Sequence, residues 1–355
     1  MPASTPDARR PAAQALLAAL NHRVGCIEPE GTGVVDVERL SGGASQETWA
    51  FAVRLRDGRT VQRILRRMPE GDRPGAATAG PEKEARVIAL ARAAGVPAPD
   101  VRYVLTPSDG VGRGYVMDRI EGETRPAKVL RDARYAPARL AFAHQAGDAL
   151  ARIHAVDASC VGLRTGRAAE EVADLWNRYL RSGTARPVFE VAFRWLRANA
   201  PKPAAARLVH GDFRNGNLMF GPEGLRGVLD WELTHLGDPL EDLGWLCVNS
   251  WRFGEIDREA GGIARREDVL AAYEAASGTH VDRVAMRFWE VLGTLRWGIM
   301  CAAMVEWIES GLDASVERCM IARRASETEL DLLNLLSPRV PRHGTGRPTG
   351  ESLAG

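Results

Sequence analysis

The first half of the chain alternates short apolar runs with turn-forming residues, a pattern typical of β-strands. Asp57-Gly58 lies between the second and third runs and predicts a tight hairpin. We therefore expect an antiparallel sheet in this half. The runs rich in β-branched or aromatic residues are Val34–Leu40, Thr48–Leu55, Thr60–Arg66, Val101–Leu105 and Gly114–Asp118.

One helix is predicted within this sheet-rich half. Glu82–Ala94 is Ala-rich and periodic, and it stops at Gly95 with Pro97 beyond. A glycine followed closely by proline is a common way for a helix to end. Residues 70–80 contain Gly, Pro and Asp and predict a loop before this helix.

The second half has apolar residues mainly at helical spacing. Two short apolar pieces, Leu208–Phe220 and Gly227–Asp230, surround a polar loop. A sheet-rich half followed by a helix-rich half predicts a bilobal α+β fold with a cleft, and we place the join near Ile120-Glu121-Gly122. The predicted helices are Pro137–Val156, Pro239–Asn249, Arg266–Ala276, Val281–Glu309 and Ala314–Leu336.

The two ends, residues 1–12 and 337–355, are rich in Pro, Gly, Arg and Ser, and we expect disordered tails there. That leaves residues 13–120 as an N-terminal lobe and residues 121–336 as a C-terminal lobe, without an internal repeat. The first ten residues lack the apolar core of a signal peptide. We find no run of about 18 apolar residues, so no membrane span is expected.

Composition narrows the classes of partner. The 47 basic and 46 acidic residues nearly cancel, which gives no support for a nucleic-acid binder. The five cysteines form no C-x-x-C pair and are odd in number, so neither a zinc site nor a disulfide framework is expected. These features fit a cytoplasmic protein with no nucleic-acid or membrane partner, and they leave the oligomeric state open.

The most informative stretch runs from Leu208 to Phe220 and contains His210-Gly211-Asp212, with Asn217 five residues after the aspartate. A short strand then ends at Asp230. Phosphoryl transfer needs one carboxylate to accept the proton of the attacking hydroxyl, and an amide oxygen and a second carboxylate to hold Mg²⁺ on the ATP phosphates. The spacing makes Asp212 the candidate base and Asn217 and Asp230 the candidate metal ligands. The plain alternative is a buried loop whose Asp and Asn cap turns.

At these residues the chain resembles the aminoglycoside phosphotransferase superfamily. It looks closest to the kinase-like domain fused to some acyl-CoA dehydrogenases and to stand-alone bacterial relatives of that domain. The resemblance covers roughly residues 35–335. The segments that carry it are Leu65-Arg66-Arg67, Leu150–His154, Leu229–Glu232 and Gly237–Trp245.

The resemblance implies a protein-kinase-like fold with ATP between the lobes. Residues 13–120 would then be the nucleotide-binding lobe, and residues 121–336 the catalytic and substrate lobe. It places the turn Ser41-Gly42-Gly43 over the phosphates, where glycine lets backbone N–H groups approach. The third strand of such a fold supplies a cation to the phosphates, usually Lys, and here the candidate is Arg66. Arg63 and Arg67 are rivals for that role. Strand alternation puts Arg66 on a different face from the other two.

Further residues follow from the same resemblance. Glu84, with Glu82 as the near alternative, would pair with the strand cation. The segment around Met117, Asp118 and Ile120 would hold the adenine.

In the helical lobe, the resemblance implies that Asp242 braces the catalytic loop by hydrogen bonds. We expect His210 and His154 to be packing residues. Most of the tryptophans there are expected to be core, and one or two would line the acceptor pocket, without an indication of which. The tryptophans concerned are Trp245, Trp251, Trp289, Trp297 and Trp307.

The expected function is transfer of the γ-phosphate of ATP, with Mg²⁺, to a hydroxyl of a small molecule. The helical lobe contains Glu together with Arg and Trp, so its sequence does not indicate the acidic pocket expected for a polycationic acceptor. A hydroxyacyl compound or other metabolic alcohol therefore ranks first as acceptor, and an aminoglycoside-type antibiotic second. Choline, amino-alcohols and sugars follow. The alternative from another class is a catalytically inactive nucleotide-binding scaffold.

Overall fold

Five strands form one antiparallel sheet in the first part of the chain, in the order β1-β2-β3-β5-β4. The computed structural model describes residues 6–40, 46–68, 78–183, 185–313 and 315–337, with side chains from residue 13 onward. The strands are β1 (Gly31–Arg39), β2 (Glu47–Leu55), β3 (Thr60–Arg67), β4 (Val101–Val104) and β5 (Gly114–Asp118).

Helices cover both faces of this sheet: α1 (Pro6–His22) and α2 (Val24–Ile27) on one side and α3 (Pro81–Ala93) on the other. Trp49 and Phe51 of β2 pack with Leu16 and Leu20 of α1. Ala50, between them in sequence, belongs to the core that includes α3. Because alternate residues of a strand point to opposite faces, a strand covered on both sides is apolar throughout.

The helical lobe follows. Its helices are α4 (Pro126–Arg131), α5 (Ala136–Ala155), α6 (Ala168–Arg181), α7 (Pro187–Ala198), α8 (Leu240–Leu246), α9 (Arg266–Ser277), α10 (Arg283–Glu309), α11 (Val316–Ala322) and α12 (Ala325–Leu336). Two small antiparallel pairs carry the polar loops between α7 and α8. They are β6 (Arg207–Val209) with β9 (His235–Gly237), and β7 (Leu218–Gly221) with β8 (Gly224–Val228).

The bilobal α+β architecture expected from the sequence is confirmed, and three details differ. Helix α1 begins at Pro6, so the expected disordered tail over 1–12 is wrong for residues 6–12. The single helix expected over Ala314–Leu336 is two helices with Arg323 and Arg324 between them. The sequence did not predict five of the helices, α1, α2, α4, α6 and α7. Residues 1–5 of the first tail and 338–355 of the second lie outside the described residues.

Helix α10 is the longest helix in the described ranges and the central helix of its lobe. It packs against α7, α8, α11 and α12. It is also the one described helix that is long and apolar enough to cross a membrane, with 44% of its most apolar window buried inside the protein. The helix meets this criterion by its mean hydropathy and not by an uninterrupted apolar run, because Glu290 and Arg296 interrupt its apolar residues.

Gly244 lets α8 approach α10 closely. A Cβ at this position would lie 2.8 Å from the backbone nitrogen of Glu290. Contacts shorter than 3 Å force a shift in the packing, so glycine is the residue that fits here. The close approach sets the position of α8, which carries Asp242 and Trp245 toward the polar loop after β6.

Candidate active site

The polar loop after β6 begins at His210, and Asp242 of α8 holds it by hydrogen bonds. The Asp242 carboxylate accepts hydrogen bonds from the backbone N–H groups of His210 (2.8 Å) and Gly211 (2.9 Å). It also contacts Nε2 of His154 at 3.1 Å. Burial alone would raise the pKa of Asp242, but the hydrogen bond and charge of His154 and the N–H of His210 lower it. Asp242 therefore acts as an ionised support for the loop.

His210 connects the loop to the segment that carries Asp230. Its Nδ1 accepts the backbone N–H of Asp212 at 3.2 Å, and its Nε2 lies 3.1 Å from the carbonyl oxygen of Leu229. These contacts fit a neutral ring protonated on Nε2. Burial lowers the pKa of His210, which favours that neutral form. His210 is thus a buried structural residue with both ring nitrogens engaged.

The two carboxylate oxygens of Asp212 accept hydrogen bonds from different parts of the structure. Its Oδ2 accepts a hydrogen bond from Nδ2 of Asn217 at 2.6 Å. Its Oδ1 accepts from Nε1 of Trp245 at 2.7 Å and from Nε of Arg214 at 3.0 Å. The side chain is 13% exposed, so it is partly screened but reachable. One oxygen faces the Asn217 side and the other faces the helical lobe.

Asn217 and Asp230 lie beside each other because the backbone N–H of Leu229 donates to the carbonyl of Asn217 at 2.9 Å. Asp230 has a φ of 65°, a left-handed conformation that is uncommon for residues other than glycine. Its side chain is 29% exposed. Backbone strain of this kind is concentrated at functional sites. The backbone contact therefore brings the chain at Asn217 next to the residue that precedes Asp230.

Arg66 of β3 reaches across the cleft to Asp230. Its Nη2 lies 2.7 Å from Oδ1 of Asp230, and its Nε lies 3.7 Å from Oε1 of Glu84. Burial would lower the pKa of Arg66, but the charges of Tyr115, Glu84 and Asp230 hold it well above its usual value. The guanidinium is therefore a permanent buried cation at the edge of the site.

Glu84 lies buried beneath Arg66. Its carboxylate accepts hydrogen bonds from Nε2 of Gln46 and from the hydroxyl of Tyr115, both at 2.8 Å. Burial raises its pKa, and the Arg66 charge opposes that rise. Glu82, the near alternative, instead pairs with Arg113 at the surface. The contact with the strand cation therefore belongs to Glu84.

The other two arginines of β3 have different partners. Arg63 is buried and pairs with Glu28 and, at 3.3 Å, with Asp118. Arg67 pairs with Glu47 at 2.8 Å, and its guanidinium lies over the Trp49 ring. Strand alternation separates Arg66 from both, as expected.

The residues expected near adenine occupy the connection between the lobes. Met117 is buried, and the Ile120 side chain lies against Gly227. The carboxylate of Asp118 is held by Arg102 at 2.8 and 3.0 Å. The backbone N–H of Asp118 donates to the carbonyl of Asp100 and is therefore already used. Ser41, Gly42 and Gly43 lie outside the described residues.

A family model described as the phosphotransferase enzyme family matches residues 36–288, which include all the described site residues above. The chain belongs to this family. Its fold agrees with that assignment: a crystal structure of a Ralstonia eutropha protein, provisionally assigned as an aminoglycoside phosphotransferase, superposes with a TM-score of 0.71. That match covers 91% of this chain and 97% of the other at 22% identity.

Similar curated proteins are longer than this phosphotransferase. Acyl-CoA dehydrogenase family member 10 of Mus musculus is 30% identical over 236 residues, which are 63% of this chain and 21% of that protein. The probable acyl-CoA dehydrogenase IBR3 of Arabidopsis thaliana is 32% identical over 300 residues, 76% of this chain and 36% of that protein. The chain thus spans about a fifth to a third of these relatives.

Sequence reasoning did not single out Arg214, although it stands two residues after Asp212. Its guanidinium stacks on the Trp251 ring at 4.5 Å from the ring centroid. Trp245 and Trp251 were among the candidates, but the sequence did not indicate which tryptophan would touch the aspartate. The one sequence feature that could have identified Arg214 is its position within the motif, two residues after Asp212. Its orientation toward Asp212 depends on α8 and on the segment after it.

Proposed function

We propose that this phosphotransferase moves the γ-phosphate of ATP to a hydroxyl of a small metabolic molecule, with a hydroxyacyl compound or related alcohol as first candidate. The observation that carries the proposal is the assembly of Arg66, Asp212, Asn217 and Asp230 in one cleft. Arg66 and Asp230 lie 164 residues apart in sequence and 2.7 Å apart in space. A loop whose polar residues only cap turns would not need a buried cation from the other lobe.

In this proposal Asp212 orients the acceptor hydroxyl and takes its proton. The hydroxyl oxygen forms a bond to the γ-phosphorus while the bond from that phosphorus to the bridging oxygen breaks. The electron pair leaves with ADP. Positioning and electrostatic stabilisation supply most of the rate in such reactions.

Mg²⁺ would be held by Asp230 and the amide oxygen of Asn217. Hard oxygen ligands of this kind suit Mg²⁺, which is commonly bound through one or two carboxylates together with substrate phosphates. The ion would neutralise phosphate charge. Arg66 would supply a second positive charge, and Glu84 would hold the Arg66 side chain in place.

The choice of acceptor rests on the relatives and on the helical side of Asp212. The curated relatives are named as acyl-CoA dehydrogenases, which favours an acyl-type alcohol. The solved neighbour is named as an aminoglycoside phosphotransferase, so an aminoglycoside is the second candidate. Arg214 and Arg296 lie next to Asp212 and its Trp245 partner, an unfavourable setting for a polycation.

The test is a screen for acceptor-dependent ADP release with the Asp212→Asn variant run in parallel. The acceptors are hydroxyacyl-CoAs, free hydroxy acids, amino-alcohols and aminoglycosides. We expect turnover with an acyl-type alcohol, and a loss of at least about 10²-fold in kcat for Asp212→Asn with ATP binding retained.

Three outcomes would count against this proposal. Near-wild-type turnover by the Asp212→Asn variant would remove the base assignment. Preference for aminoglycosides would replace the acceptor class. Nucleotide binding without turnover on any acceptor would favour the inactive scaffold.

A further inference from the structure

The two oxygens of Asp212 divide the site into a phosphate side and an acceptor side. Oδ2 faces Asn217, which we place at the metal, and Oδ1 faces Trp245 and Arg214. Arg66 approaches from the phosphate side, where it contacts Asp230. Arg214 therefore lies beside the base on the side away from the nucleotide.

Arg214 is held there by an aromatic stack. Its guanidinium lies 4.5 Å from the Trp251 ring centroid, and Trp251 packs on Trp245 (5.2 Å) and Trp297 (4.8 Å). Arginine stacked on an aromatic ring keeps its fork oriented and loses less entropy when it binds an anion. The Arg214 side chain is 24% exposed, so a ligand can reach it.

Two indole groups in this stack lack a hydrogen-bond acceptor. The Nε1 atoms of Trp251 and Trp297 are buried, and neither has a partner among the described residues. Trp251 as a whole is only 4% exposed. An indole N–H can only donate, and a buried donor without an acceptor is costly, so a polar ligand that brought an oxygen to either nitrogen would gain a hydrogen bond.

The charges around the stack also favour an anion. Arg296 lies over the other partner, Trp245, with its guanidinium 4.2 Å from the ring centroid. The carboxylate that pairs with Arg296, Glu241, is buried and also bound to His235. It is therefore already neutralised by two partners.

We propose that Arg214, together with the Trp245–Trp251–Trp297 stack, is an acceptor-anion subsite that selects a hydroxy acid through its carboxylate. This inference rests on the proposed function. It adds that the acceptor is an anion and that Arg214 recognises its charge. The Arg214 fork donates to the carboxylate while the neighbouring hydroxyl lies at Asp212. A guanidinium and a carboxylate form charge-assisted, often bidentate hydrogen bonds.

The experiment compares the wild-type protein with Arg214→Gln and Arg214→Lys on straight-chain monohydroxy acids and on their methyl esters. We expect Arg214→Gln to raise the KM for the acids by about 10- to 100-fold, the size expected for loss of one charge-assisted hydrogen bond. The KM values for ATP and for the esters should change little, whereas any fall in kcat that comes from the lost contact with Asp212 should be the same for acids and esters. Arg214→Lys should recover part of the loss, because it keeps the charge without the fork.

Arg197→Gln is the matched control. The guanidinium of Arg197 also lies 4.5 Å from a tryptophan ring, that of Trp176, in a contact on helices α6 and α7 away from Asp212. It should leave both classes of acceptor unaffected.

An equal change in the KM for acids and for esters would overturn the inference, because Arg214 would then not distinguish a carboxylate from its ester. Unchanged kinetics in Arg214→Gln would overturn it as well.

Calorimetric binding of the same acids, without ATP, separates this inference from the proposed function. Binding of an acid that depends on Arg214 supports the subsite even if no phosphate is transferred. Failure of every acid to bind overturns the subsite. Transfer to a neutral or cationic alcohol that does not depend on Arg214 overturns the subsite and leaves the proposed transferase activity standing.

Discussion

Three neighbouring arginines on β3 have different partners because their surroundings in the fold differ. Arg66 contacts Asp230 across the cleft, Arg63 is buried with Glu28, and Arg67 pairs with Glu47 on the other face of the sheet. All three carry the same charge. Strand alternation puts Arg66 on one face, and Arg63 and Arg67 share the other face at different positions along the strand. Of the three, only Arg66 pairs with a carboxylate of the other lobe.

We therefore expect Arg66→Ala to raise the KM for ATP and to lower kcat. The loss in kcat/KM should be about 10²-fold, because a buried cation acts on both bound phosphate and transition-state charge. Arg66→Lys should recover part of it. Steady-state kinetics of the three Arg→Ala variants measured side by side give the answer.

The other two substitutions act as controls in that comparison. Arg67→Ala should leave the kinetics nearly unchanged. Arg63→Ala should lower thermal stability more than catalysis, since it leaves Glu28 without its buried partner. If Arg63→Ala or Arg67→Ala caused the large kinetic loss while Arg66→Ala did not, the assignment of the phosphate cation would be wrong.

Among the elements, the pair β6–β9 positions the catalytic loop, and a buried ionic group holds that pair against α8. His235 of β9 contacts Glu241 at 3.0 Å, and Glu241 pairs with Arg296 of α10 at 2.8 Å. Burial alone would raise the pKa of Glu241, but the charges and hydrogen bonds of His235 and Arg296 lower it to about 2. Burial would lower the pKa of His235, but the charge and hydrogen bond of Glu241 outweigh burial and raise that pKa.

This group makes the stability depend on pH in a definite direction. Below the ordinary Glu value of 4.5 the unfolded chain takes up a proton that the native Glu241 refuses, so stability falls as pH falls toward about 2. The raised pKa of His235 gives stability that is complete below its ordinary value of 6.5 and is lost as pH rises through the native value. The contribution of the pair is therefore largest between these two ordinary values.

We predict that Glu241→Gln is destabilising, and most strongly between pH 4.5 and 6.5. The difference in free energy of unfolding from wild type should shrink on both sides of that window. Urea unfolding at a series of pH values measures it. Glu223→Gln removes an exposed ion pair with Arg226 and is the control, with little effect expected at any pH. A difference that did not vary with pH would contradict the ionic explanation.

Considered as a whole, the two lobes share one apolar core, which includes Tyr115 and Met117 of the first lobe and Phe213 and Val228 of the second. Polar contacts join them as well: besides the Arg66–Asp230 pair, the backbone N–H of Ala79 donates to the carbonyl of Glu232 at 2.9 Å, and the backbone N–H of Val228 donates to the carbonyl of Pro97 at 2.7 Å. A ligand bound in the cleft to residues of both lobes should therefore stabilise the whole fold. Ligand at 100 times its Kd adds about 2.7 kcal/mol.

We expect ATP to raise the Tm of the wild-type protein more with Mg²⁺ than without it. Asp230→Ala should lose that Mg²⁺-dependent increment, because it removes the proposed metal carboxylate. Glu232→Ala, which alters a carboxylate 3.7 Å from Arg66, should lose less. Thermal unfolding with and without Mg²⁺, and calorimetric titration of both variants, decide the order. A larger loss in Glu232→Ala than in Asp230→Ala would mean that the metal ligand has been chosen wrongly.

The errors of the sequence interpretation concern helices rather than the motif. Helix α3 was predictable because Gly95 and Pro97 end it with local signals. The break between α11 and α12 has no such signal, since Arg323 and Arg324 are good helix formers and the chain turns there for packing reasons. Helix boundaries set by tertiary packing cannot be inferred from local preference.

By itself, the sequence determined the order of the two lobes, the candidate base Asp212 and its companions Asn217 and Asp230. Period-two and helical patterns and fixed motif spacing are local properties of the chain, so they can be derived without coordinates. Only the tertiary structure decided which arginine of β3 meets Asp230, and that Trp245 and Arg214 share one oxygen of Asp212. Those contacts join residues from different elements, and their geometry depends on how the lobes and helices pack. No local pattern encodes it.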